Sequence, residues 1–221
     1  MYEDNKEDIL CSGIDHTMIS LISHKINLLI VGGGRAALIK AKTFIQRGCS
    51  SVSVVSKEFL PEFEELEHYS NLKLIKEEYK KLYIKDKHII AIATNCEEVN
   101  KKVRKDCDEL SKLYIDCTNP KEGLCIMACQ RSTKSTSFGI NTNDISPKTS
   151  VFLANKIKDK LEKYDNFISF TALIRNKAKE LKNKNEIMGF ICSDDFLFFY
   201  EIGLGELILK MFYPDVELFK E

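Results

Sequence analysis

The chain has 221 residues, with 33 basic and 33 acidic side chains and a formal net charge of zero. A chain of this length buries enough surface to fold without disulfides or a metal, and its balanced charge argues against a general nucleic-acid-binding protein. No apolar run reaches the ~20 residues of a membrane span, and the acidic N-terminus lacks the pattern of a signal peptide. We therefore expect an intracellular, cytoplasmic protein with neither nucleic acid nor membrane as a partner.

The first half of the sequence alternates between strand and helix patterns. An apolar run at 26–31 ends in three glycines and leads into an amphipathic helix. The predicted elements are strands at 26–31, 52–55, 72–75, 88–93 and 113–116, and helices at 35–47, 59–68 and 97–112. This alternation predicts an α/β fold with a Rossmann-type, doubly wound parallel sheet.

The pattern changes after Pro120, where two extended segments follow without a long helix between them. These segments, 124–129 and 135–140, predict a hairpin or meander. Helices are then predicted at 148–161, 168–184 and 204–212. We expect three parts: 1–118, 119–147 and 148–221.

The residues Gly32-Gly33-Gly34-Arg35-Ala36-Ala37 match the pattern G-x-G-x-x-A between a strand and a helix. Gly32 permits a tight turn, Gly34 lets the backbone approach a pyrophosphate, and Ala37 lets helix and strand pack closely. The amide groups at the helix start then face the phosphates. This context predicts a dinucleotide site; the alternative is a tight turn without a ligand.

The segment after the second strand leaves the choice between NAD and NADP open. Ser56 could bind a ribose hydroxyl, Lys57 could attract a 2′-phosphate, and Glu58 would favour NAD. Thr94 and Asn95 follow the fourth strand, at the edge where ligands bind in such sheets. They could contact the ribose or the nicotinamide, or they could simply cap the next helix.

Cysteine and histidine spacing does not predict a metal site. The eight cysteines form no Cys-x-x-Cys pair, and the four histidines are scattered. We expect unpaired thiols that pack as small apolar residues.

Charge is distributed unevenly along the chain. Residues 121–184 hold 13 basic and 6 acidic side chains, a net of +7, whereas residues 185–221 hold 2 basic and 8 acidic, a net of −6. The basic segment could bind a polyanionic ligand, or both segments could be solvated helix faces.

Several motifs, in this order, resemble the precorrin-2 dehydrogenase family, which includes the dehydrogenase module of siroheme synthase. They are Met18-Ile19-Ser20-Leu21, the run 26–34, Ala93-Thr94-Asn95 with Val99-Asn100, and Ser146-Pro147 before a helix. The resemblance implies a homodimer with an NAD-binding Rossmann domain (1–118), a small β dimerisation region (119–147) and a helical C-terminal domain (148–221). It also implies NAD-dependent oxidation of precorrin-2 to sirohydrochlorin, in the siroheme and cobalamin branch of tetrapyrrole biosynthesis.

The resemblance also implies which residues bind. Motif matching assigns the cofactor to Gly32, Gly34, Arg35, Ala36, Lys57, Glu58, Thr94 and Asn95. Precorrin-2 carries many carboxylates, which suit the basic segment. The candidates for charge-assisted bonds to it are Arg131, Lys134, Lys148 and Lys156.

Two departures from the family fall on the expected substrate side. Relatives have a catalytic aspartate where this chain has Thr118, and Asp116, two residues earlier, is the candidate replacement. Relatives also have glycines within the segment that corresponds to 141–147. We therefore expect a dehydrogenase without ferrochelatase activity, beside which a separate chelatase could act. The alternatives are a catalytically impaired nucleotide- or tetrapyrrole-binding protein, a bifunctional dehydrogenase and ferrochelatase, or a different dinucleotide-dependent reductase.

Overall fold

The computed structural model describes residues 17–142 and 146–216. The chain divides into two compact units, with the division between Ile126 and Met127. The finer division at 118 and 147 stays a prediction, as do the consequences of the altered loop at 141–147, because residues 143–145 lie outside the described part.

The described residues of the first unit contain a five-stranded parallel sheet in the order β3-β2-β1-β4-β5. The strands are β1 (Asn27–Val31), β2 (Ser51–Val55), β3 (Leu72–Ile75), β4 (Ile89–Ile92) and β5 (Leu113–Asp116). The predicted Rossmann-type sheet is confirmed. The third and fifth strands have the bounds that the sequence predicts.

Continuous apolar runs place β1 and β4 in the middle of the sheet. Leu28 to Val31 and all four residues of β4 are buried, as expected for parallel strands that are covered on both faces. Helix α1 (Arg35–Gln46) packs on this sheet through Ala37, Leu38, Ala41, Phe44 and Ile45. The helix predicted at 59–68 is a 3₁₀ helix, Pro61–Leu66, anchored by two buried side chains.

Helix α2 (Glu97–Glu109) connects β4 to β5 and ends earlier than its sequence pattern predicts. Its last turn closes when the Lys112 amide donates to the Cys107 carbonyl, and Ser111 takes a φ of 50°. This left-handed residue ends the helix, so the chain enters β5 at Leu113.

The second unit begins with an antiparallel hairpin of β6 (Cys129–Ser132) and β7 (Ser137–Ile140). The strand predicted at 124–129 is wrong by several residues. The turn at 133–136 sets the register, because the Thr133 amide donates to the Thr136 carbonyl. The Asp165 carboxylate accepts from the Thr133 hydroxyl and from the amides of residues 134 and 135.

Helices complete the second unit. They are α3 (Pro147–Leu161), α4 (Asp165–Lys177), α5 (Lys184–Ile191), α6 (Asp194–Glu201) and α7 (Gly205–Phe212). The single helix predicted at 168–184 is wrong, because the chain turns after Lys177 and brings Ile174 and Ile187 into one buried cluster with Phe196 and Leu209. In the described residues, no helix is both long and apolar enough to cross a membrane.

Candidate dinucleotide-binding site

The glycine turn lies at the carboxyl end of β1, the central strand. The chain runs from β1 outwards to β2 and β3 on one side, and then crosses over to β4 and β5 on the other side of β1. Ligands of doubly wound sheets bind in the crevice at this switch in strand order. The sequence motif and the topology therefore indicate the same place.

Two of the three glycines are required by close packing. Gly32 has a φ of 128°, and a Cβ atom there would lie 2.2 Å from the Ala93 carbonyl oxygen. A Cβ atom on Gly33 would lie 1.9 Å from the Glu58 carbonyl oxygen, and the Gly33 carbonyl accepts from the Leu60 amide. Sequence reasoning assigned nothing to Gly33. Its part in holding the 56–60 loop is visible only once the loop is placed.

Gly34 differs because the space beside it is open. A Cβ atom on Gly34 would meet no described atom within 4 Å. Gly34 is the N-cap of α1; in the part of the chain that the structure describes, no side chain caps this helix and its first turn holds no acidic residue. Arg35 and Ala36 are exposed there. Unpaired amides and an open approach are what a pyrophosphate group needs, so the turn fits a dinucleotide.

The loop after β2 carries an exposed ion pair. Lys57 Nζ lies 2.6 Å from Glu78 Oε1, and the two side chains are 71% and 69% exposed. The hydrogen bond that Lys57 donates to Glu78 raises the pKa of Lys57 and lowers the pKa of Glu78. Glu58 is exposed beside them. The cation that could attract a 2′-phosphate is therefore matched by a carboxylate.

At the end of β4, Thr94 is tied to its neighbours and Asn95 is exposed. The Thr94 hydroxyl donates to Asn100 Oδ1 at 2.7 Å and accepts from the Cys96 amide at 3.1 Å. Thr94 therefore orders the turn that leads into α2, whose N-cap residue, Cys96, makes no side-chain cap hydrogen bond. Asn95 presents its side chain to solvent at the ligand edge of the sheet.

Asn100 connects this loop to the one after β5. Its side-chain amide donates to the Thr94 carbonyl at 3.1 Å and to the Thr118 hydroxyl at 3.3 Å. Asn100 is 1% exposed. Sequence reasoning used Asn100 only as part of a family motif and gave it no function.

Asp116 ends β5 with its carboxylate completely buried. Its Oδ1 accepts from the Thr118 amide, the Thr118 hydroxyl and the Asn119 amide, at 2.7 to 2.9 Å. Its Oδ2 accepts from Arg104. Burial by itself raises the pKa of Asp116, but the bonds from Asn119, Thr118 and Arg104 outweigh it and hold that pKa below its ordinary value. A buried carboxylate with a low pKa is a poor general base near neutral pH.

The four basic candidates for the substrate belong to the second unit. Arg131, on β6, donates through Nε to Asn155 Oδ1 on α3 at 2.8 Å and through Nη1 to the Gln130 carbonyl. Lys134 is exposed in the hairpin turn. Lys148 and Lys156 are exposed on α3 two turns apart, and Lys156 Nζ lies 5.9 Å from the centre of the Phe152 ring. Helical spacing therefore places Lys148 and Lys156 on one face of α3.

Within 17–142 and 146–216, no group of three or more histidine, cysteine or acidic side chains is arranged to hold a metal ion.

Comparison with known proteins identifies the family that this chain matches. Residues 19–129 match the NAD(P)-binding family NAD_binding_7. The chain is 27% identical over 166 residues to the siroheme synthase of Saccharophagus degradans, covering 72% of this chain but only 35% of that protein. It is 26% identical over 179 residues to the precorrin-2 dehydrogenase of Priestia megaterium, covering 77% of this chain and 86% of that protein.

A solved structure of the precorrin-2 dehydrogenase SirC has the same fold. It superposes with a TM-score of 0.66 at 23% identity and covers 92% of this chain and all of that one. The open glycine turn fits NAD as the cofactor. The chain therefore belongs to the NAD(P)-binding family NAD_binding_7, and it is similar to precorrin-2 dehydrogenase and to siroheme synthase.

Proposed function

We propose that this protein is an oxidoreductase that oxidises precorrin-2 to sirohydrochlorin with NAD. The observation that carries the proposal is the open, uncapped helix start at Gly34, at the switch point of a parallel sheet. The match along most of a precorrin-2 dehydrogenase supports the choice of substrate.

Bound NAD would be the hydride acceptor, and residues of the chain would position it. The amides at the start of α1 bind the pyrophosphate, with Gly34 leaving room for it. The loop at Thr94 and Asn95 orients the nicotinamide half at the same edge of the sheet. NAD held there would take up the hydride that precorrin-2 loses together with a proton, so two hydrogen atoms would leave the macrocycle in all. Because this transfer depends mainly on placement, the chain needs no strong acid or base at the reacting carbon.

We propose that the proton leaves to solvent. The alternative acceptor, Asp116, is held by four hydrogen bonds from three residues and has a lowered pKa. In this reading Asp116 shapes the turn that carries Thr118.

The carboxylates of precorrin-2 would bind to basic side chains of the second unit. Lys148 and Lys156 are the first candidates because they are exposed on one face of α3. Lys134 is exposed as well, whereas the Arg131 guanidinium already has protein partners.

We propose that iron insertion is not part of this activity. The family resemblance places Thr118 where a catalytic aspartate is expected, and its hydroxyl already donates to Asp116 and accepts from Asn100. A hydroxyl cannot replace a carboxylate as an acid or base near neutral pH. A separate chelatase would then use the product.

Anaerobic incubation of the protein with precorrin-2 and NAD⁺ tests the proposal. We expect the absorbance of sirohydrochlorin to rise together with that of NADH at 1:1 stoichiometry, and adding ferrous iron should not produce siroheme faster than iron and sirohydrochlorin alone. Absence of NADH formation would contradict the dehydrogenase proposal.

A binding protein without catalysis is the second candidate. It is favoured because the side chains of Asp116 and Thr118 already form hydrogen bonds within the protein. Such a protein would bind NAD⁺ and precorrin-2 in calorimetric titrations but form no NADH. The same anaerobic assay therefore separates the two candidates.

We also propose that the protein is a homodimer. Helix α3 exposes four large apolar side chains, and a surface of this kind commonly packs against another copy. These are Val151, Phe152, Leu153 and Ile157. Light scattering after size-exclusion chromatography should give twice the chain mass of 25.4 kDa; a monomer mass would contradict the proposal.

A further inference from the structure

Asn100 is a polar side chain in a place where an apolar one would be ordinary. It lies on the face of α2 that also buries Val103 and Cys107, and it is 1% exposed. Burying an amide without partners costs free energy, so a buried amide is expected to be fully hydrogen-bonded. The hydrogen-bond partners of Asn100 show which part of the protein this side chain stabilises.

Each of these partners lies at the ligand edge of the sheet. Asn100 Oδ1 accepts from the Thr94 hydroxyl, and Nδ2 donates to the Thr94 carbonyl and the Thr118 hydroxyl. Thr94 follows β4, and Thr118 follows β5. One side chain therefore fixes the relative positions of two adjacent loops.

The loop after β4 also contacts the glycine turn. A Cβ atom on Gly32 would lie 2.2 Å from the Ala93 carbonyl oxygen and 3.2 Å from the Thr94 nitrogen. Displacing Thr94 would therefore alter the loop that lies beside the glycine turn. Because β4 and β5 form the half of the sheet that faces the nicotinamide nucleotide, the adenosine half should be affected less.

We infer that Asn100 is a positioning residue that orders the loops after β4 and β5 and so orients the nicotinamide end of bound NAD. This inference rests on the proposed function. It assigns Asn100 no contact with the substrate or the cofactor. The Thr94 hydroxyl, already hydrogen-bonded to Asn100 and to the backbone of Cys96, stabilises the same arrangement, and Asn95 and the loop backbone remain to face the ligand.

The substitution Asn100→Asp tests the inference with little change in shape. It replaces the donor that faces the Thr94 carbonyl with an acceptor, so the two oxygens repel each other. Asn71→Asp is the matched control: Asn71 donates through Nδ2 to the Cys49 carbonyl in the same unit, but just before β3, at the opposite edge of the sheet.

Titration calorimetry with two ligands separates a positioning effect from general damage. ADP-ribose has the pyrophosphate and both riboses but lacks nicotinamide. We expect Asn100→Asp to weaken NAD⁺ binding about tenfold, as the loss of one buried hydrogen bond predicts, and to leave ADP-ribose binding within about twofold, an allowance of ~0.4 kcal/mol. Asn71→Asp should change neither affinity.

Equal weakening of both ligands, or of neither, would overturn the inference. If Asn100→Asp gives no cooperative thermal unfolding, Asn100→Ser makes the same comparison with a smaller side chain. The wild-type chain distinguishes the two proposals: if it fails to bind NAD⁺, the proposed function fails, whereas unchanged NAD⁺ binding in the variants overturns only the positioning of Asn100.

Discussion

The chemical role of the Asp116 carboxylate depends on its surroundings in the fold. Its place in the sequence, two residues before Thr118, makes it a candidate acid or base. In the structure it is buried and accepts from Arg104 and from the turn that follows β5. These hydrogen bonds favour the ionised form of the carboxylate. Asp116 therefore stabilises the fold and the shape of the loop after β5.

We predict that Asp116→Asn destabilises the protein by about 3 kcal/mol at pH 7, as the loss of one partner of a buried ion pair predicts. The new amide would face the donors of Arg104. Because the pKa of Asp116 is lowered in the folded state, its stabilising effect is present above about pH 4, the ordinary aspartate value, and is lost as the pH falls through the folded pKa. Urea unfolding should therefore show a larger difference in free energy between wild type and Asp116→Asn at pH 7 than at pH 3.

The control for this experiment is Asp159→Asn, which changes an exposed carboxylate on α3. It should leave the free energy of unfolding almost unchanged. Equal stability of Asp116→Asn and wild type at pH 7 would show that the buried pair contributes nothing.

A second residue-scale prediction concerns cofactor choice. Removing the carboxylate in Glu78→Gln leaves Lys57 without its partner, so its charge becomes available to a 2′-phosphate. The affinity for NADP⁺ should rise a few-fold relative to NAD⁺, in keeping with the small energies of exposed ion pairs. Glu77→Gln is the control, because Glu77 pairs with Lys80 instead. An unchanged ratio of NADP⁺ to NAD⁺ affinities in Glu78→Gln would contradict this prediction.

At the scale of one element, the turn from β1 into α1 combines two different requirements. Gly32 and Gly33 are needed for packing, since added Cβ atoms would meet backbone oxygens at 2.2 and 1.9 Å. Gly34 is needed for an open approach to the helix start. Three identical residues in sequence thus serve two physical purposes.

Alanine substitutions separate these purposes. Gly34→Ala should keep the wild-type melting temperature, because its φ of −88° and ψ of −169° suit alanine and its surroundings are open. The new methyl group would occupy the approach to the amides and weaken NAD⁺ binding about tenfold, or ~1.4 kcal/mol. Thermal melts and calorimetry measure the two effects. NAD⁺ affinity equal to that of wild type would show that the pyrophosphate binds elsewhere.

Gly33→Ala makes the opposite prediction. Its methyl group would push on the Glu58 carbonyl and displace the 56–60 loop, so the melting temperature should fall by several degrees. Together the two variants show whether packing or binding requires each glycine.

Over the whole chain, two oppositely charged segments lie behind the zero net charge. The basic segment 121–184 includes α3 and α4, and the acidic segment 185–221 includes α5 to α7, apart from the first residue of α5. A ligand with many carboxylates would bind to the first and avoid the second.

The charge reversals Lys148→Glu and Lys156→Glu test this surface. Each should weaken precorrin-2 binding severalfold, more strongly at low salt, while NAD⁺ binding stays unchanged. Lys177→Glu, an equal change of charge on α4, is the control for net charge. Binding that falls equally in all three variants would indicate a general field effect and no local site.

Local sequence patterns suffice to predict the parallel sheet, because apolar strands, a glycine turn and an amphipathic helix follow one another at spacings that few other folds accept. They also indicate the dinucleotide site, since the requirements of that turn are local. The bounds of the first hairpin strand and the break after Lys177 could not be predicted this way. The hairpin turn is held by Asp165, about 30 residues away, and the break depends on burial of side chains from several helices.

The contacts of Gly33, Asn100 and Asp116 depend on how distant parts of the chain fold together. Their partners are Glu58, Thr94, Thr118 and Arg104, which come from different elements of the sheet and its loops. Periodicity describes which face of an element is buried, but it carries no information about which polar atoms meet across that face. For that reason the cofactor turn could be predicted from the sequence, whereas the hydrogen-bond network beside it had to be observed.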